Sequence, residues 1–555
     1  MKEYIITSLL ALIFSAQLQA QITERERPKE WENLVEGGRF LDRFQAIPVI
    51  GELSDKTWGA DDVVPRYVDN GIEEKEWSYW GGNILIGDDG KYHLFVCRWR
   101  EDAQKGHMEW SRSEVVHAVC DNSLGPFKIK QVIGKGHNPE AFRLKNGAYI
   151  VYVIDGHYYS ESMDGPWEYR KFSFNARDRK IPDGLSNLTF AQREDGSYIM
   201  MCRGGSIWFS KDGQSSYNMV TEKSIYPPYD GRYEDPVIWR TNIQYHAIVH
   251  DWLGRIAYYM RSKDGIHWKL DPGEAYVPGI AVYEDGTSEN WFKYERIKML
   301  QDEYGRAIQA NFAVIDTIKW DDKGSDNHSS KNIGIPLTYG RLLSILNEDP
   351  IDTVTQTIKV KVQAEKGFDP HKDIDLESLR FGAPEEVNFG RGCKLAETEK
   401  DGKNLILVFE GRGNGFTPEN FAGKLIGKTT GGKLLFGYAR LPGVDYLQPA
   451  LSACLPKITT TENTGEIEVE IQNFGQVVSE ISEVNIEVKA HDKWNRLAFV
   501  EVEPVQPFEK RTIRIESPIN FNMKERLEVR VNIVQPNQKE ASLSGEVTVQ
   551  YLKTK

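Results

Sequence analysis

The chain predicts an all-β protein, a five-bladed β-propeller followed by immunoglobulin-like β-sandwich domains. Three observations predict it. A hairpin pattern recurs five times between residues 77 and 345. A second kind of turn recurs between those hairpins. Beyond residue 352 the texture changes to short alternating strands in which Trp494 is the last tryptophan.

The hairpins occupy residues 83–96, 141–153, 188–201, 237–249 and 297–310. Each is an apolar strand, a tight turn and a strand rich in Tyr, Ile, Val or Met, with Gly90, Gly147, Gly196 and Gly305 marking four of the turns. The second turn appears at residues 123–127, 162–167, 210–213 and 262–268, the last three carrying Ser-x-Asp-Gly. Four strands per unit and a period of roughly 45–60 residues predict a propeller over residues 77–345. Residues 21–76 hold charged and aromatic segments without a period, as expected of a lid or belt on that propeller. Alternating strands separated by Gly, Asn and Pro turns predict one sandwich over 352–452 and an immunoglobulin-like sandwich over 455–555. Within the first, Gly423-Lys-Leu-Ile-Gly427-Lys resembles a phosphate loop but has too few residues between its glycines, and reads as a turn.

Composition narrows the setting. Thirteen of the 14 tryptophans lie between Trp31 and Trp320, so the aromatic surplus belongs to the propeller and the segment before it. Mean hydropathy is −0.51, and no later run approaches the roughly 18–20 apolar residues of a membrane helix, so no integral membrane segment is expected. Residues 1–20 read as a signal peptide: Lys2, an apolar stretch from Ile5 to Leu18, then Ala20 before Gln21. The protein is therefore expected to be exported, periplasmic or secreted. A formal charge of −13 excludes the phosphate neutralisation on which nucleic-acid binding rests. The five cysteines show no C-x-x-C pair and no metal-site spacing. They read as small buried hydrophobes, with a Cys97–Cys120 bridge as the alternative.

In a propeller the first strand of each blade lines the channel, and the residues just before it open onto one face. Those positions are Trp80-Gly81-Gly82-Asn83, Gly136-His137-Asn138-Pro139-Glu140, Leu185-Ser186-Asn187, Tyr233-Glu234-Asp235-Pro236 and Lys293-Tyr294-Glu295-Arg296. Three of the five blades thus bring a carboxylate to one mouth. Crowded carboxylates in a partly dry pocket raise at least one pKa, which suits glycosidic hydrolysis, where one carboxylic acid protonates the leaving oxygen and a second carboxylate activates water or attacks. Trp80, Trp252 and Trp291 offer platforms for sugar rings, and Asn83, Asn138, Asn187 and Arg296 offer contacts to hydroxyl groups.

These repeats, the Asn138-Pro139-Glu140 and Glu234-Asp235-Pro236 strand starts and the Ser162-Met-Asp-Gly-Pro-Trp167 turn resemble the five-bladed glycoside hydrolases of family 43, and more distantly families 32 and 117, over about half of the chain. Family 43 inverts configuration with an Asp base in blade one, an orienting Asp in a middle blade and a Glu acid in a later one. The resemblance implies Glu234 as the acid. Gly81-Gly82-Asn83 stands where the family places its base and Ser186-Asn187 where it places its orienting Asp. The base is therefore expected among Glu140, Asp235 and Glu295. The resemblance also implies a calcium or other cation in the channel with His328, in Asp326-Asn327-His328, beside it, and no other cofactor.

The expected function is hydrolysis of glycosidic bonds in plant or algal oligosaccharides by paired carboxylates: Glu234 as acid, Glu140 or Asp235 as base, and Glu295-Arg296 orienting the substrate. The rivals are a non-catalytic carbohydrate-binding propeller, a polysaccharide lyase using His and Arg, and a phosphorolytic enzyme.

Overall fold

The computed structural model describes residues 24–56, 63–461, 464–517, 525–536 and 538–551. The segment read as a signal peptide lies outside them. From Trp77 onward, strands pair with their sequence neighbours in five successive sheets. The first holds Trp77–Ile86, Tyr92–Arg100, Glu114–Cys120 and Lys128–Lys135; the second runs from Glu140–Arg143 to Glu168–Arg170. The third runs from Thr189–Gln192 to Tyr217–Met219 and gains Phe174–Asn175 as a parallel edge; the fourth runs from Tyr233–Arg240 to Lys269–Tyr276. The fifth has Lys293–Gln301, Ala307–Ile315 and Ser330–Pro336, three strands where four were expected. Its open side is met by the segment before the first sheet. Ile72 bridges Asn332, Asn70 exchanges hydrogen bonds with Gly334, and Lys331 donates to the Tyr67 and Val68 carbonyls.

The five first strands close a propeller-like ring, with the fifth packed against the first. Each is preceded or interrupted by a residue in the left-handed region, Gly81, Asn138, Asn187, Asp235 and Arg296, at φ between 53° and 62°, with Gly82 following Gly81 at 90°. In the first, fourth and fifth sheets this residue sits in a β-bulge. Asn and Asp tolerate that conformation because their short polar side chains bond locally. The bulge re-aims the side chains on either side of it. Two residues further on, the side chain reaches sideways to the next sheet. Asn83 pairs with the Ala141 N–H and carbonyl at 2.7 and 2.8 Å, Glu140 accepts from Thr189 and the Phe190 N–H at 3.1 and 2.8 Å, and Thr189 accepts from the Ile238 N–H at 3.2 Å. Aliphatic and aromatic clusters fill the spaces between sheets.

After the ring comes a closed seven-stranded barrel, not the first of two sandwiches. Its order is Arg341–Ile345, Thr357–Val362, Asn404–Glu410, Cys393–Asp401, Ile374–Gly382, Ala422–Thr429 and Leu434–Arg440, which returns to the first strand by parallel pairing. Gly437 permits that closure, since a side chain there would meet the Arg341 carbonyl at 2.7 Å. Arg341–Ile345, expected to end the propeller, is thus the first barrel strand, and the 423–428 stretch read as a turn lies inside Ala422–Thr429. The barrel has its own core around Phe381, Leu407, Phe409 and Leu425.

The last unit packs two sheets over one core of Val469, Ile471, Val484, Ile486, Val529 and Val531. It is tied to the loop before the third sheet. Arg177, whose side chain is fully buried, donates to Glu470, Gln472 and the Ser452 carbonyl, each at 2.9 Å; Arg179 reaches Ser452, and Arg193 reaches the Phe474 carbonyl at 2.8 Å. All five cysteines are free thiols, and Cys97, Cys202 and Cys393 are buried.

Candidate active site

The residue just before each left-handed position points to one end of the ring. In the fourth and fifth sheets that residue is Glu234 and Glu295, so equivalent bulges bring two carboxylates together. Asp235, itself left-handed, joins them: oxygens of Glu234, Asp235 and Glu295 lie within 4.8 Å of one another. The starts of the third strands face the same end, so the loops leading into them form its rim. Those loops supply Lys319 and Arg203, and the first strand of the fifth sheet supplies Lys293 and Arg296. Lys319 pairs with Glu295, and Lys293 lies 3.5 Å from the same carboxylate. Arg203 lies 3.4 Å from Glu234 and 3.1 Å from Asp183. Arg296 pairs with Asp235 at 3.0 Å, and Asn187 bridges the two, donating to Asp235 and accepting from Arg296, both at 2.9 Å.

The two equivalent glutamates are pushed in opposite directions. Burial, reinforced by the charge of Asp235, pushes Glu234 up to about 7 against the pull of Lys319. Burial also pushes Glu295 up, but Lys319, Lys293 and His250 outweigh it and hold its carboxyl well below the usual carboxylate range. Glu295 and Glu234 in turn raise Lys319 against its own desolvation, whereas burial lowers Lys293. Neighbouring titratable groups driven apart in this way are the physical requirement for one acid and one ionised partner at the same pH.

The expected residues divide. Glu234, Asp235, Glu295, Asn187 and Arg296 meet at the mouth. Asn138 borders it with a buried Oδ1 that has no partner. Trp252 stays partly exposed, with Lys293 4.9 Å from its ring. Glu140 does not belong: both its oxygens are taken, one by Thr189 and Phe190 and the other by Lys298, because it stands two residues after the left-handed Asn138 and faces the next sheet. Asn83 is spent in the same way. Trp291 is buried, its indole N–H held by Glu289 at 2.9 Å. Trp80 is buried as well, against the His107 ring and with Lys319 over its face at 4.9 Å.

His328 lies in the 316–329 loop, 3.1 Å from Asp316. Among the described residues, the Glu234–Asp235–Glu295 trio is the group of three ligand atoms that close together, and His328 is not in it. Calcium takes six to eight oxygens, and the trio's charge is already met by lysine and arginine, so the trio does not fit a calcium ion. Arg203 and Lys319 went unread in the sequence. Their signal is positional, since both fall between the second and third strands of a repeat. A cleft of about 1000 Å³ lies elsewhere, where the fourth sheet, the barrel and the last unit meet. Burial pushes Asp264 on its wall up, but His267 and two backbone N–H groups hold it down to about 2, so it offers no acid.

No family model and no curated protein matches this sequence. Among solved structures, the chain is similar to Zg3597, a family 117 glycoside hydrolase produced by the marine bacterium Zobellia galactanivorans, with 11% identity, 53% of this chain and 90% of that one covered, and a TM-score of 0.36. It is similar to the family 43 protein BlXynB from Bacillus licheniformis, with 9% identity, coverage of 85% and 89%, and a TM-score of 0.31. The CARDB domain of the PF1109 protein from Pyrococcus furiosus matches 20% of this chain over its whole length, with 14% identity and a TM-score of 0.15. At these scores the likeness assigns no function; the side chains at the mouth carry it.

Proposed function

We propose that the protein hydrolyses glycosidic bonds of plant or algal oligosaccharides at this mouth, on a ring that reads as a five-bladed propeller, with Glu234 as the proton donor. The observation that carries this is the split pair: Glu234 raised to about 7 and reaching solvent, beside an ionised Glu295. A carboxylic acid near 7 holds its proton at neutral pH and releases it to a leaving oxygen with little penalty. Glu295 supplies the negative charge that an oxocarbenium-like transition state requires. Asp235, locked to Arg296 and Asn187, orients rather than reacts.

The spacing supports a stereochemical outcome. Carboxylates about 5–5.5 Å apart retain configuration, whereas about 6.5–9.5 Å leaves room for the water of inversion. The closest ligand oxygens of the two glutamates lie within 4.8 Å of each other, which favours the shorter class. Gly81, where the family resemblance places a base, has no side chain to hold such a water. Retention is therefore the expectation, and proton NMR of the first-formed anomer tests it.

Glu234→Gln is the decisive variant. A hydrolase of this design loses turnover and keeps ligand binding. The binding-protein reading draws on the ion pairs that occupy Asp235 and Glu295; it stands if the wild-type chain binds glycans and releases no reducing ends. Export through residues 1–20 belongs to the same proposal and is tested by the N-terminus of the mature protein.

A further inference from the structure

Charge at the mouth is layered. The carboxylates of Asp235 and Glu295 lie at the bottom, their side chains at most 1% exposed. Above them the cations reach outward: Lys319 is 23% exposed, Arg255 24% and Arg203 35%. The layers come from different parts of each sheet, the acids from first-strand starts and these three cations from loops between second and third strands. A ligand entering the ring therefore meets these cations, together with Asp183, whose side chain is 62% exposed, before it reaches the buried acids.

Arg203, Lys293, Arg296 and Lys319 face Asp183, Glu234, Asp235 and Glu295. Positive and negative balance when Glu234 is ionised. When Glu234 carries its proton, the form able to donate it, one positive charge is in excess. Arg255 adds to that excess at the rim, because its nearest acid, Glu24, is 3.8 Å away and 81% exposed. Meanwhile several groups suited to a neutral sugar are withdrawn, leaving Asn138 and Trp252 at the mouth. Asn187 is committed to Asp235 and Arg296, and Trp80 and Trp291 are buried.

We propose that the sugar unit held at this mouth carries an anionic group, a uronate carboxylate or a sulfate ester, received by Lys319 and Arg203. This rests on the mouth being a glycan site and names the class of glycan. Oxyanions suit both residues, the guanidinium offering a planar fork and the ammonium a point charge. Binding also feeds back on the acid. A negative charge beside Glu234 disfavours its ionised form, so an anionic substrate keeps the donor protonated to higher pH than a neutral one does.

The test compares matched ligands on the full chain. Oligosaccharides of a polyuronate and of a sulfated galactan are titrated by calorimetry, each beside its neutral counterpart made by carboxyl reduction or desulfation. The expected result is about tenfold or tighter binding of one charged form, the size of a charge-assisted hydrogen bond. That preference shrinks with added salt and is lost in Arg203→Gln and Lys319→Met, while Glu234→Gln keeps it. The series that shows the preference tells carboxylate from sulfate. Arg203 lies at the surface, so Arg203→Gln reports even if Lys319→Met unfolds. Equal or tighter binding of the neutral forms, no binding by either charged series, or an unchanged preference in Arg203→Gln overturns the proposal. Failure of the hydrolase reading looks different: charged glycans bind with the stated preference but are not cut, or are cut to an unsaturated, ultraviolet-absorbing product as a lyase would do.

Discussion

Two clusters of buried acids sit at the same end of the ring, and they behave differently. At the mouth, Glu234, Asp235 and Glu295 each have a lysine or arginine within 3.5 Å. In the adjoining loops, Glu101, Asp316, Asp322 and Asp326 form ion pairs with no lysine or arginine among the described residues. Glu101 takes hydroxyl donors from Ser78 and Ser329, Asp322 takes the His107 N–H at 2.8 Å, and Asp326 takes the N–H groups of Lys323 and His328, both at 2.8 Å. Burial, the nearby serine hydroxyls only partly offsetting it, pushes Glu101 up to about 7. Burial and the charge of Glu101 push Asp322 up to about 8. Burial beside other acids, with no cation to oppose it, therefore makes an acid hold its proton. A split pair, one carboxyl protonated and its neighbour ionised, needs cations aimed at one member of it. The loop cluster is a strut that works when neutral; the mouth cluster is built to be unequal.

The largest test of that contrast is Glu234→Gln. It is expected to lower kcat by about two to four orders of magnitude, the range for a general acid, with ligand affinity unchanged by calorimetry. The equivalent change in the strut, Asp322→Asn, is expected to leave turnover intact. Next is the pH profile. Because Glu234 must be protonated, kcat/KM falls as pH rises through about 7. Removing Lys319, which opposes the rise, moves that limb to higher pH in the Lys319→Met variant. Stability gives a smaller and opposite signature. Glu101 and Asp322 have folded-state values above their unfolded ones, so their contribution is complete below about pH 4 and is lost as pH rises from there to about 7 to 8. The thermal midpoint therefore declines across that window, and Asp322→Asn flattens the decline. The smallest expected effect concerns the equivalent bend in the first sheet, which carries none of the trio. Gly81 has a φ of 62°, and the nearest atoms stand 3.6 Å from where a Cβ would be, so Gly81→Ala meets no clash and costs about 1–2 kcal/mol of backbone strain in urea unfolding.

Much of this could be read in the sequence, and the rest could not for identifiable reasons. The hairpins were legible because alternation and glycine turns are local. Glu234, Asp235 and Glu295 were legible because Asp-Pro and its equivalents mark strand starts. Glu140 misled because Asn-Pro-Glu and Glu-Asp-Pro look alike, although the glutamates stand three residues apart in register: one follows its left-handed residue and the other precedes it. Trp291 and Asn83 misled because residue type does not tell whether a partner already waits inside. Arg203 and Lys319 come from loops whose aim is set by ring closure. The barrel depends on parallel pairing between strands almost a hundred residues apart, a contact with no local signature.

The guanidinium of Arg177 has a consequence for how this protein tolerates shortening. Its acceptors, Glu470, Gln472 and the Ser452 carbonyl, all belong to the last unit, while its own loop leads into the sheet that presents Asn187 and Arg203 to the mouth. A chain trimmed before residue 451 would lose all three acceptors together with the surface that buries the guanidinium, and would bare that side of the third sheet to water. The last unit is thus no detachable accessory. Proteolytic nicking or a foreshortened gene product would disturb the mouth from the far end of the molecule, with every residue of it still in place.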